Sequence, residues 1–154
     1  MPRVAVALGS NLGDREAHLA AAVRRLASCL ADIRQSRWHD TTPVGTSPGD
    51  PRYLNGAITG VTPLRPLALL DALLAIEREA GRQRPYTNAP RTLDLDLILY
   101  DGLVLDEPGL TVPHPRFRDR RFVLAPLAEI AADWVDPVTR RTVAELLAAL
   151  PPEA

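Results

Sequence analysis

The segment Thr92-Leu93-Asp94-Leu95-Asp96-Leu97-Ile98-Leu99-Tyr100 alternates leucine with aspartate before turning apolar. A period of two marks a half-buried strand, because successive side chains leave opposite faces of the pleat. The pattern predicts a strand over 92–100 with Leu93, Leu95, Leu97 and Leu99 on one face and Asp94 and Asp96 on the other. A chain holding such a strand must provide neighbouring strands and a cover for the leucines. It must also give a reason for two carboxylates in the middle of an element that disfavours aspartate.

The rest of the chain supplies the cover. Val4 to Leu8 reads as a buried strand ended by Gly9, and Asp14 caps a helix whose stripe is Leu19, Val23, Leu26 and Leu30. A weak strand is predicted over 33–40, followed by a loop over 41–51 with three prolines and two glycines. Tyr53 to Val61 forms the next strand. Pro66 starts a second helix, its apolar face drawn from Leu67, Leu70, Leu73, Leu74 and Ile76, and Gly81 stops it. A second loop, 82–90, leads into the leucine–aspartate strand. After the Asp101-Gly102 turn, Val104-Leu105 and Leu110 to Val112 pair as a small hairpin, with short helices over 122–130 and 143–150. The order β-α-β-β-α-β predicts an α+β fold, a ferredoxin-like α/β sandwich with an antiparallel sheet, two helices on one face and long substrate loops. The other sheet face is expected to stay open.

Composition removes several classes of function. With 46% hydrophobic and 24% charged residues among 154, the chain is an ordinary globular domain, expected as one unit over 1–154. Its net charge of -1 gives no general attraction to nucleic acid or an anionic membrane. Cys29 is the single cysteine, so disulfides and thiolate zinc sites are excluded and a core thiol is expected. The short apolar start is no signal segment, and a cytoplasmic protein is the expectation. All 18 basic residues are arginine, which excludes a lysine phosphate grip or Schiff base.

Asp94 and Asp96 have alpha carbons about 6.6 Å apart along a strand, a span that lets two carboxylates converge on divalent ions. Magnesium suits them, since it takes one or two carboxylates and completes its shell with water and substrate phosphate. The plain alternative is the solvated face of an amphipathic strand. Arg82, Arg84 and Arg91 lie just before the strand, and Arg116, Arg118, Arg120 and Arg121 just after its hairpin. Guanidinium groups clamp phosphate bidentately at any working pH, so carboxylates with arginines suit a metal-bound polyphosphate. A nucleic-acid patch over 115–121 is another reading, weakened by neutral charge and few aromatics. Gly9-Ser10-Asn11-Leu12-Gly13-Asp14 fits neither nucleotide-loop pattern and reads as a capped turn in a supporting role. His114, held between Pro113 and Pro115, is a packed side chain by default. Tyr53 and Phe122 offer flat faces, and Glu77 points toward the 82–90 loop.

Together, Gly9-Ser10-Asn11-Leu12-Gly13, Thr42-Pro43, Tyr53-Leu54-Asn55, Gly81-Arg82, Pro90-Arg91-Thr92-Leu93-Asp94-Leu95-Asp96 and Val112-Pro113-His114-Pro115 closely resemble the 6-hydroxymethyl-7,8-dihydropterin pyrophosphokinases of folate biosynthesis. The resemblance runs over essentially the whole chain. It implies transfer of diphosphate from ATP, the co-substrate, to the pterin hydroxymethyl group with two Mg2+ ions and release of AMP. Asp94 and Asp96 then resemble the metal ligands, and Arg82 and Arg91 the loop arginines that assist transfer. Glu77, Arg84, Leu97, Thr111, His114 and Arg120 match positions of the ATP side. Thr42, Pro43, Val44, Tyr53, Asn55 and Phe122 match the pterin side, Tyr53 and Phe122 as the two faces of the ring. A monomer serving small molecules, without nucleic acid or membrane partners, is the expectation, with both loops closing to exclude water. Asn88 and Gly109 depart from the tryptophan and arginine of some members, which affects lid packing and one phosphate contact. The rival enzyme reading is a metal-dependent phosphohydrolase, which would need no ring pocket. The rival binding module would use the sheet face for RNA.

Overall fold

The computed structural model describes residues 1–11, 13–41, 52–81 and 93–152. Its elements run β1 (Arg3–Ser10), α1 (Arg15–Leu26), β2 (Ala31–Gln35), β3 (His39–Thr41), β4 (Tyr53–Val61), α2 (Pro66–Gly81), β5 (Asp94–Tyr100), β6 (Leu105–Glu107), β7 (Leu110–Val112), α3 (Arg121–Ala131) and α4 (Val143–Ala148). The main sheet has the order β2-β4-β1-β5 with antiparallel pairing, β3 extending β4, and β6 pairs with β7 separately. Each βαβ unit thus leaves a gap that a strand of the other fills, the split arrangement expected from the element order. Asp14 caps α1 by accepting a hydrogen bond from the Ala17 amide at 3.1 Å.

One sheet face is covered as predicted. Val4, Val6 and Leu8 of β1 and Leu95 and Leu97 of β5 pack with Leu19 and Leu26 of α1 and Leu69, Leu73 and Ile76 of α2. Cys29 is buried beside them, and burial pushes its thiol up from the ordinary value. The α2 stripe is narrower than the sequence suggests: Leu67 is 53% and Leu74 38% exposed, while Leu69 is wholly buried.

Three expectations are corrected. The sheet's second face is not open, because Phe117, Val123, Leu124, Leu127, Val143 and Leu146 pack on Ala5, Ala7, Ala57, Ile98 and Leu99. The alanines of the two central strands leave room for α3 to approach. Leu99 does not share a face with Leu95 and Leu97: Val6 pairs with Leu97 but Ala5 with Leu99. Ile98 is therefore the extra residue of a bulge, which reverses the alternation. The single strand expected over 33–40 is divided: at Ser36 the amide still donates to Ala57 O, but the side-chain Oγ replaces the carbonyl as acceptor of the Ala57 amide at 2.9 Å, and Trp38 packs over Gly56 where a Cβ would collide.

Between α3 and α4, buried Asp136 accepts hydrogen bonds from Arg118 (Nε 2.5 Å, Nη2 3.0 Å), the Val138 amide (3.0 Å) and the Thr139 hydroxyl (2.7 Å). Burial alone would raise its carboxyl, but these donors, Arg118 foremost, hold it below the usual carboxylate value. A lowered folded-state value means stability that is present above the unfolded value of about 3.9 and is lost as pH falls through the folded value. Asp136→Asn is accordingly expected to lower the melting temperature at neutral pH and to flatten its fall on the acid side. Thermal melts between about pH 2 and pH 7 check this; an acid limb as steep as the wild type's would reject it.

Candidate active site

The antiparallel register places the chemistry on the second sheet face. Asp94 pairs with Gly9, and Gly9 with Asn55, which pairs in turn with His39. Asp96 and Ala7 form the next row, and Tyr53 pairs with Thr41. Cross-strand partners share a face, so Asp94, Asp96, Asn55 and Tyr53 stand on one surface although 41 residues separate the Asn55 and Asp96 positions (96 less 55). Both aspartates are half-buried.

Gly9 makes this surface. A Cβ there would lie 2.9 Å from Asn55 Oδ1 and 3.6 Å from Tyr53 Cδ1, so only glycine lets these two side chains lie across β1. The Asn55 side chain is 6% exposed and its amide nitrogen donates to the Thr41 hydroxyl at 2.5 Å. In this arrangement Oδ1 lies toward Gly9. Thr41 and Gly9 are the two site residues that sequence reasoning missed or undervalued. The strand-ending glycine was the available signal.

On the opposite rim, the backbone amide of His114 donates to Ile98 O at 3.0 Å, tying the segment after β7 to β5. The imidazole Nδ1 accepts the Arg116 amide at 3.2 Å, which leaves Nε2 to carry the proton of the neutral ring. Burial pushes the His114 value down, and the Arg120 and Arg116 charges push the same way against Asp96. The ring is thus a neutral donor at neutral pH, set between Asp96 and Arg120. The Arg120 guanidinium also lies over the Phe122 ring, 5.5 Å from its centroid. Cation and aromatic face are joined at the start of α3.

Glu77 does more than point at a loop: its Oε2 accepts the Leu95 amide at 2.6 Å, pinning β5 between its two aspartates. Thr111 donates to Asp106 at 3.2 Å within the small hairpin. Leu97 sends its side chain into the helix-side core, away from the carboxylate face. Thr42, Pro43, Val44, Arg82, Arg84 and Arg91 lie outside the described residues.

Among the described residues, no group of three or more histidine, cysteine, aspartate or glutamate side chains could enclose a metal by itself. Two half-buried carboxylates fit magnesium, which takes one or two protein carboxylates and keeps water and substrate phosphate in its shell, better than they fit zinc.

An α+β sandwich carrying paired carboxylates and a cation-flanked neutral histidine on one rim defines a class: an enzyme of phosphoryl-group transfer. The comparisons make it specific. Residues 5–132 match the family model of 7,8-dihydro-6-hydroxymethylpterin-pyrophosphokinase, and the chain belongs to that family. It is 46% identical over 145 residues to the 2-amino-4-hydroxy-6-hydroxymethyldihydropteridine pyrophosphokinase of Synechocystis sp., covering 92% of this chain and 73% of that one. The Pseudomonas aeruginosa protein of the same name is 46% identical over 153 residues, covering 97% and 92%. In fold the chain is similar to wild-type Plasmodium falciparum HPPK-DHPS, with a TM-score of 0.75 at 13% identity over 96% of this chain. It spans 44% of that longer chain.

Proposed function

We propose that this chain transfers the β,γ-diphosphate of ATP to the hydroxymethyl oxygen of 6-hydroxymethyl-7,8-dihydropterin in folate biosynthesis. The new bond joins that oxygen to the β-phosphorus, the bond from the β-phosphorus to the α-phosphate oxygen breaks, AMP leaves, and the hydroxyl proton passes to solvent. The observation that carries the reading is the shared face of Asp94, Asp96, Asn55 and Tyr53, an arrangement suited to a polyphosphate held beside a flat polar ring.

Asp94 and Asp96 would hold two magnesium ions. Bound there, magnesium neutralises phosphate charge and acidifies a coordinated hydroxyl. Asn55 orients the pterin edge, with Tyr53 and Phe122 on its faces and the backbone of Thr42, Pro43 and Val44 at the remaining edge. His114 donates through Nε2 to a phosphate oxygen, and Arg120 adds a fixed charge. Arg82, Arg84 and Arg91 reach the phosphates from their loop, where Arg82 and Arg91 stabilise charge on the departing AMP. Glu77 and Thr111 flank the nucleoside, Leu97 only through its backbone, because its side chain lies in the helix-side core. Closing of the 41–51 and 82–90 loops keeps water from hydrolysing ATP. Residues 1–154 act as one domain, a cytoplasmic monomer serving small molecules and neither nucleic acid nor membrane. No helix among the described residues is long and apolar enough to cross a membrane.

Product analysis tests the reaction. Purified protein mixed with ATP, magnesium and the pterin is expected to give AMP in step with pterin diphosphate, and only when pterin is present. ADP or free phosphate formed without pterin would replace this reading with a phosphohydrolase or an ordinary kinase.

A further inference from the structure

Asp136 lies beyond the family-matched residues, which end at 132, and touches none of the residues assigned to ATP or pterin. Its carboxylate nevertheless accepts four hydrogen bonds, two of them from Arg118. Arg118 sits in the 3-10 turn Phe117–Asp119. Its guanidinium also lies 5.0 Å from the centroid of the Phe117 ring, which is wholly buried. The turn is therefore gripped at adjacent residues, by packing at Phe117 and by a bidentate fork at Arg118.

His114 and Arg120 hang from the two ends of that turn. The Phe117 amide donates to His114 O at 3.4 Å, and the Arg120 amide to Phe117 O at 3.3 Å. A buried ion pair is a poor device for stability, since desolvating both charges costs much of what their attraction returns and an apolar pair of similar volume does as well or better. A planar fork on a fixed carboxylate does set direction. The far end of Asp136 is itself fixed, its amide donating to Arg141 O at 2.8 Å and its carbonyl accepting the Arg140 amide at 2.9 Å.

We infer that Asp136 is a positioning residue for the nucleotide: through the Arg118 fork it fixes the 3-10 turn, and so aims His114 and Arg120 at phosphate beside Asp94 and Asp96 before ATP binds. This rests on the assignment of His114 and Arg120 to the phosphate side.

The test compares Asp136→Asn and Arg118→Lys with the wild type. The lysine variant keeps a cation on the buried carboxylate and loses only the fork, so it serves where Asp136→Asn does not fold. Binding of the magnesium complex of α,β-methylene-ATP, read by calorimetry without pterin, is expected to weaken roughly tenfold in each folded variant, the order that outer partners of a site command. The His114 ring signals in NMR should shift, and KM for pterin should rise clearly less than the analogue affinity falls, because Asn55 and Tyr53 hang from other strands and only Phe122 follows the turn. A merely structural role would lower the melting temperature while leaving analogue affinity and the His114 signals at wild-type values, and that result overturns the inference. An equal rise of KM for ATP and pterin would overturn it too. Absence of AMP formation by the wild type would strike the functional reading instead, since the calorimetry registers binding alone.

Discussion

Asp96→Ala is expected to abolish diphosphate transfer while leaving the fold intact. Asp96 pairs with Ala7 on the carboxylate face, and its side chain is no part of either apolar cluster. Removing it opens no core cavity. The stability change should therefore stay within about 0.5 kcal/mol. Catalysis is another matter. The triphosphate brings several negative charges to a rim whose described cations are few, and metal-borne charge stabilisation is worth several kcal/mol, so turnover should fall at least roughly 10³-fold at one tenfold step per 1.36 kcal/mol. Raising magnesium should recover little of it, because the remaining Asp94 cannot hold two ions. AMP release at saturating substrates, together with a thermal melt, decides the matter. Near-normal turnover in a soundly folded variant would remove the metal assignment.

The same strand shows how far sequence reasoning reaches. Leu93 to Leu97 alternates cleanly, and the carboxylate face follows from that alternation alone. The bulge at Ile98 does not, because it is fixed by pairing with Ala5 and Val6, more than 90 residues earlier. Its consequence is structural: Leu99 joins the α3 side, and Tyr100 turns to the helix side, where its hydroxyl donates to Leu64 O at 2.6 Å. The covered second face was half legible. Val123, Leu124 and Leu127 form an apolar stripe, and Ala5, Ala7 and Ala57 are small residues in central strands, but nothing local says that the one packs on the other. Asn55 was recognisable through its motif. Its dependence on Gly9 and Thr41 needed the register, since three separate strands contribute. Leu67 and Leu74 were misplaced because a leucine-rich helix offers more apolar positions than one face can bury.

Asn55→Ala should raise KM for the pterin by about 10- to 100-fold and leave KM for ATP nearly unchanged. Asn55 is a buried amide whose nitrogen is committed to Thr41 and whose oxygen lies over Gly9, so its geometry is settled before any ring arrives. A site that offers a polar group to a ring loses more than one hydrogen bond when that group is removed. The pterin edge is then buried without its partner, at about 1–3 kcal/mol for one unsatisfied group. The loss belongs to binding shared by ground and transition states, so kcat should change far less than KM. Gly9→Ala gives an independent check, because its Cβ would stand 2.9 Å from Asn55 Oδ1 and must displace that oxygen. The same selective rise in pterin KM, smaller in size, is expected with Asn55 itself untouched. Steady-state kinetics with each substrate varied in turn distinguishes the outcomes: a rise in both KM values would mean the β1–β4 face had loosened as a whole, and unchanged pterin KM in Asn55→Ala would move the ring elsewhere.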